Sequence, residues 1–118
     1  MEHCDPSALI KLGKKTDVSD HGELSRKIVR ALHDKGISVY LGYINFMPES
    51  TLEELEHTAT FLHEMDHEAS TFHYLSNKLM LFEGTKLFNK YSDAEFQVNY
   101  NGREYEYRFS DRRVEYLH

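Results

Sequence analysis

A chain of 118 residues, 40% hydrophobic and 13% aromatic, has the composition of one folded domain rather than a disordered segment. Its formal charge of −6, with basic residues interleaved among acids, argues against the phosphate-tracking stripe of a nonspecific nucleic-acid binder. One cysteine, Cys4, excludes an internal disulfide and any multi-cysteine zinc or iron–sulfur site built from this chain alone, and no apolar run reaches the ~18 residues of a membrane span.

The N-terminal stretch MEHCDPSALIKLGKK lacks the apolar core of a signal peptide, so a cytoplasmic location is expected. Cys4 itself reads as a solvent-side bystander, since no neighbour in sequence would depress its pKa. Residues 7–12 (SALIKL) predict a short helical turn, followed by the polar linker GKKTDVSDHG. A helix is predicted over about 20–35, with Leu24, Ile28, Ala31 and Leu32 on one face and Gly36 as its terminator. The nearly continuous apolar run 37–46 then predicts a buried parallel strand. Pro48 closes it, and Ser50 with Glu53 or Thr51 with Glu54 offers a capping box for the next helix. In that helix Leu52, Leu55, Ala59 and Leu62 form a stripe flanked by Phe61 and Met65. A further strand is expected at 71–75, extending toward Leu81, then a short helix over 85–91 after Gly84. Beyond it, alternation at Phe96, Val98 and Tyr100, then Asn101-Gly102, then Tyr105, Tyr107 and Phe109, predicts a hairpin with a two-residue turn whose tyrosines cover an apolar face.

Three segments in order carry a family resemblance. Glu2–Pro6 running into Ala8–Lys14, then Gly42-Tyr43-Ile44-Asn45-Phe46 with Pro48 and Thr51–Glu54, then LMLFEGTKLF at 79–88 resemble the second half of a radical S-adenosylmethionine barrel. Thr16-Asp17-Val18 resembles the Thr-Thr-Val opening a helix in that family. The likeness is greatest to the radical S-adenosylmethionine proteins that also carry a cobalamin-binding domain. It implies an α/β chain: a partial (β/α) barrel fragment with two or three parallel strands, flanking helices and a C-terminal β-hairpin. Residues 1–92 would form the barrel part and 93–118 the hairpin tail of the same domain.

By that resemblance Gly42, Ile44 and Phe46 pack against the adenine of S-adenosylmethionine, and Glu2 or His3 stands at the ribose position. The sequence departs from the family there, with His-Cys-Asp in place of Ser-Gly-Ser. The [4Fe–4S] cluster and cobalamin of full-length relatives need residues this chain lacks, so no catalytic residue is assigned. A chain beginning where a fourth strand should end is expected to be a truncation, a split gene or a domain remnant. Its expected partners are a missing half-barrel or a second copy meeting exposed strand edges, with no nucleic acid and no membrane. The alternative from a different class is a non-enzymatic protein-interaction module.

One motif competes. Residues 63–67 spell His-Glu-Met-Asp-His, which matches H-E-x-x-H, and on a helix His63 and His67 would share a face toward zinc. Asp66 inside the motif and the expected helix end nearby point instead to a solvated helix terminus, leaving a zinc hydrolase as the remote alternative.

Overall fold

In the computed structural model, which describes residues 3–14, 21–65, 69–70, 76–92 and 95–118, Asp5 sets the start of the first helix. Its carboxylate accepts from the Ser7 and Ala8 N–H groups and Pro6 occupies the first turn, giving α1 (Pro6–Lys11). Next comes α2 (His21–His33). Gly36 ends it at φ +71°, its N–H bonded to the His33 carbonyl while the Ile37 N–H reaches back to Leu32, the paired bonds of a Schellman termination.

The buried face of α2 is not the expected one. Ser25 and Val29 are buried, Leu32 is half-buried, and Leu24, Ile28 and Ala31 are exposed. At ~100° per residue the apolar positions from Ala31 round to Val29 cover an arc of roughly 160°, and only its Val29 side meets the core.

The barrel expectation is corrected. Five helices dominate the described residues. Among the described residues, parallel pairing is confined to β1 (Val39–Tyr40) against β2 (Ala69–Ser70), two residue pairs, with one isolated parallel bridge between Phe46 and Lys78. Such short pairings make no barrel wall. The apolar run 37–46 read as one long buried strand, but residues 41–45 join no ladder among the described residues and Ile37 is exposed. Leu41 and Tyr43 are instead buried by packing, with Gly42 exposed between them. The strand expected at 71–75 lies outside the described residues.

Both capping boxes were open to α3 (Leu52–Glu64), and Thr51 with Glu54 forms it: the Glu54 N–H donates to Thr51 Oγ1 at 3.2 Å, and the Thr51 N–H donates to Glu54 Oε2 at 3.1 Å. Ser50 holds the preceding turn, its Oγ accepting from the Met47 N–H and donating to the Asn45 carbonyl. The buried side of α3 centres on Thr58, Phe61 and Leu62, whereas Ala59 is exposed.

Thr85 caps α4 (Lys86–Tyr91). The hairpin forms as an antiparallel pair of β3 (Asn99–Tyr100) and β4 (Tyr105–Glu106). Its loop is longer than the expected two residues. Asn101 Oδ1 accepts from both the Arg103 and Glu104 N–H groups, and only Gly102 takes a positive φ. Val98, Tyr105 and Tyr107 pack against the core cluster containing Met47, Leu81 and Tyr91, while Tyr100 is exposed. A final helix, α5 (Arg112–Leu117), follows Asp111 and buries Val114 against Phe46 and Phe109.

Cys4 is corrected as well. It is 1% exposed, inside a cluster with Val29, Leu41, Tyr43, Phe61, Leu62 and Met65, and burial pushes its thiol pKa up. No helix among the described residues is long and apolar enough to cross a membrane.

Candidate functional site

The capping box fixes where α3 begins, and two turns later Thr58 faces the residues just ahead of α1. The Asp5 N–H donates to His3 Nδ1 at 3.0 Å, so the neutral ring carries its proton on Nε2. That nitrogen stands 3.4 Å from Thr58 Oγ1, and the Cys4 thiol donates to the same oxygen at 3.7 Å. The Thr58 hydroxyl donates to the Glu54 carbonyl at 2.9 Å. Thr58 therefore accepts from two buried donors and satisfies one backbone acceptor.

Charge around this knot is arranged unevenly. Burial lowers the His3 pKa, opposed by the Asp5 and Glu54 charges. Burial would raise Asp5, but hydrogen bonds from the Ser7 hydroxyl, His57 and the Ala8 and Ser7 N–H groups outweigh it and hold the carboxyl down at about 2. Beside it, Lys11 Nζ meets Glu54 Oε1 at 2.6 Å and donates to the Glu49 carbonyl at 2.9 Å. These contacts bind α1 to the start of α3.

Thr58 also forms part of the wall of a hollow of about 260 Å³, with Asn45, Phe46, Leu55, Ala59 and Leu117. Three contacts hold the Phe46 side in place. Its ring lies edge-on to Phe109 and to His118, with centroids 6.0 and 5.1 Å away. The Tyr107 hydroxyl lies 3.2 Å from the Phe46 carbonyl and 3.0 Å from that of Leu79. Arg113 ties α5 to α3 through Glu53, at 2.8 and 3.0 Å, and hydrogen-bonds Asp111, whose carboxyl it holds well below the usual carboxylate range. Sequence reasoning missed α5. Its signal was present in Asp111 as an N-cap followed by Val114 and Leu117 three apart.

Of the residues expected to bind cofactor, Phe46 lines this hollow and His3 reaches it through Thr58. Gly42 stands apart, exposed, with open space where a Cβ would project. Ile44 packs against the cluster of Met47 and Tyr91. Glu2 lies outside the described residues.

Of the H-E-x-x-H motif, residues 63–65 are among those described. Helix α3 ends at Glu64, His63 is exposed, and the Glu64 carboxylate is taken by the Arg26 guanidinium. His67 lies outside the described residues, and among those described no group of three metal-ligating side chains comes together. Productive zinc sites close three protein ligands around one metal. Protein dialysed against a mild chelator is expected to retain far less than one equivalent of zinc, with no difference between wild type and His63→Ala. A full equivalent lost in the mutant would overturn this.

No protein-family model, curated protein or solved structure matches the chain.

Proposed function

We propose that this chain carries the adenosine-side part of an S-adenosylmethionine site, as a relative of radical S-adenosylmethionine proteins, and does not catalyse a reaction alone. The observation that carries this reading is the hollow beside Phe46. Phe46, Leu55, Ala59 and Leu117 supply its apolar walls, and the Asn45 side-chain amide lines it as a polar group that can meet a ring nitrogen. At about 260 Å³ it falls below the ~300–1,000 Å³ of sites for drug-sized ligands, so it suits a purine base rather than a whole S-adenosylmethionine. A [4Fe–4S] cluster does not fit the residues present. It needs three thiolates, whereas Cys4 is the chain's single cysteine and its buried thiol is engaged by Thr58. A partner polypeptide would have to supply the cluster and the rest of the ligand site.

Calorimetry with S-adenosylmethionine and S-adenosylhomocysteine tests this. Binding is expected in wild type and is expected to fall about 10-fold or more in Ala59→Phe, which fills the hollow from an exposed helix position. Loss in Gly42→Val alone would move the adenine to the open face of the 41–46 segment. Absence of binding to either nucleoside rejects the proposal.

A second reading, a non-enzymatic interaction module, is favoured by the exposed Met80, Phe82 and Tyr100. They border an open groove of about 430 Å³, across which Tyr105 hydrogen-bonds Glu83. A chain that binds no nucleoside and forms stable complexes sensitive to Phe82→Ser would support it.

A further inference from the structure

The outer face of α2 carries information that neither reading of function uses. Leu24 and Ile28 are 42% and 49% exposed, and Ala31 is exposed on the same side. Their spacing of four and then three residues is that of a two-helix packing seam rather than of scattered surface apolar residues. Lys35 continues the seam by another four, and its aliphatic stem can cover apolar surface while its charge stays in water.

We propose that this seam is where a second copy of the same chain docks, with the two α2 helices antiparallel about a two-fold axis. Charge placement selects both the occupant and the direction. Lys27 and Asp34 flank the seam on one side, seven residues apart. Asp34 stays in helical register, since its N–H bonds the Arg30 carbonyl at 2.9 Å. In an antiparallel pair with Ile28 opposite the partner's Ala31, and Ala31 opposite the partner's Ile28, each Lys27 faces the Asp34 of the other copy. Two-fold symmetry makes that contact twice. Shifting the register by one turn sets Lys27 against Lys27. A parallel pair leaves Lys27 and Asp34 facing Ser25 and Leu32, which lie on the core side of α2. The competing partner of Lys27 within its own chain, Glu23, is 3.9 Å away and exposed. Antiparallel helices also set opposite dipole ends side by side, and the small Ala31 lets the axes approach. The patch is small compared with a standard interface, so the dimer is weak and reversible.

Sedimentation equilibrium of the full chain over a wide concentration range tests this. Wild type is expected to pass from monomer to dimer. Ile28→Glu, at a half-exposed position that leaves the fold intact by circular dichroism, is expected to raise the dissociation constant about 30-fold or more. Lys27→Asp or Asp34→Lys alone is expected to raise it about 10-fold, because each turns two attractive pairs into repulsive ones. The double exchange, Lys27→Asp with Asp34→Lys, is expected to restore the wild-type constant. A wild-type chain that stays monomeric leaves the face to a different polypeptide and overturns the proposal. So does a dimer indifferent to Ile28→Glu, or one that the double exchange fails to restore.

Discussion

Phe61→Ala is expected to lower the free energy of unfolding by about 3–5 kcal/mol. The ring is 1% exposed and sits at the junction of three elements. Tyr43 lies tilted against it at 6.0 Å between centroids, the Arg26 guanidinium stands 4.8 Å over its face, and Val29, Leu41 and Met65 share its cluster. Truncation leaves a cavity and forfeits both the aromatic pair and the cation–π contact. Because Arg26 also holds Glu64 at the end of α3, the surrounding side chains are not free to collapse into the gap. Domains of this size are stable by ~5–15 kcal/mol, so the loss is a large fraction of the total. Urea denaturation checks it: the midpoint should fall with little change in slope, and Phe61→Leu should cost under ~1.5 kcal/mol. A loss below about 1 kcal/mol for the alanine variant would show that Phe61 is not where the core is anchored.

Acid is expected to weaken the fold in two separate steps. Burial depresses His3 below its ordinary value of 6.5, so the unfolded chain binds the extra proton first. The contribution of His3 is therefore complete above about pH 6.5 and is lost as the pH falls from there toward its folded pKa. Asp5, held at about 2 against an ordinary 3.8, behaves likewise lower down. Its contribution is present above 3.8 and is lost as the pH falls toward 2. Each proton can add a slope of up to about 1.4 kcal/mol per pH unit. His3→Gln, which cannot titrate, should remove the upper step and leave the lower one, and Asp5→Asn should remove the lower step while extending the upper one to lower pH, because the Asp5 charge opposes the His3 shift. Unfolding free energies measured by urea at closely spaced pH values decide the matter. An upper step unchanged in His3→Gln would assign it to another group.

Local signals in the sequence translated directly into structure wherever the chemistry was local. Gly36 terminates α2 because only glycine accepts that φ cheaply, Thr51 and Glu54 make their reciprocal cap, and Asn101 organises the hairpin loop. What failed was tertiary. The apolar width of α2 was legible, but which half of it the core would take was not, since Leu24 and Ile28 on one side and Val29 on the other are all apolar. The run 37–46 had the make-up of a buried strand, yet a strand needs a neighbour along its length, and among the described residues pairing stops after Tyr40 until the bridge at Phe46. At the candidate site, Phe46 and His3 were singled out by resemblance. Their connection through Thr58 was invisible because residues 55 apart meet only when α3 packs on the N-terminal segment. Thr58 falls beside the Leu55, Ala59 and Leu62 stripe rather than in it, so nothing in the pattern marked it.

The burial of Cys4 gives this protein a built-in clock. With one thiol in the chain, and that thiol sealed beneath α3, a disulfide reagent in solution has nothing to attack until the N-terminal segment lifts away. The rate of its single colour-forming reaction then counts those openings directly. Comparing that rate with the urea-derived stability tells whether residues 3–12 detach by themselves or only when everything else comes apart.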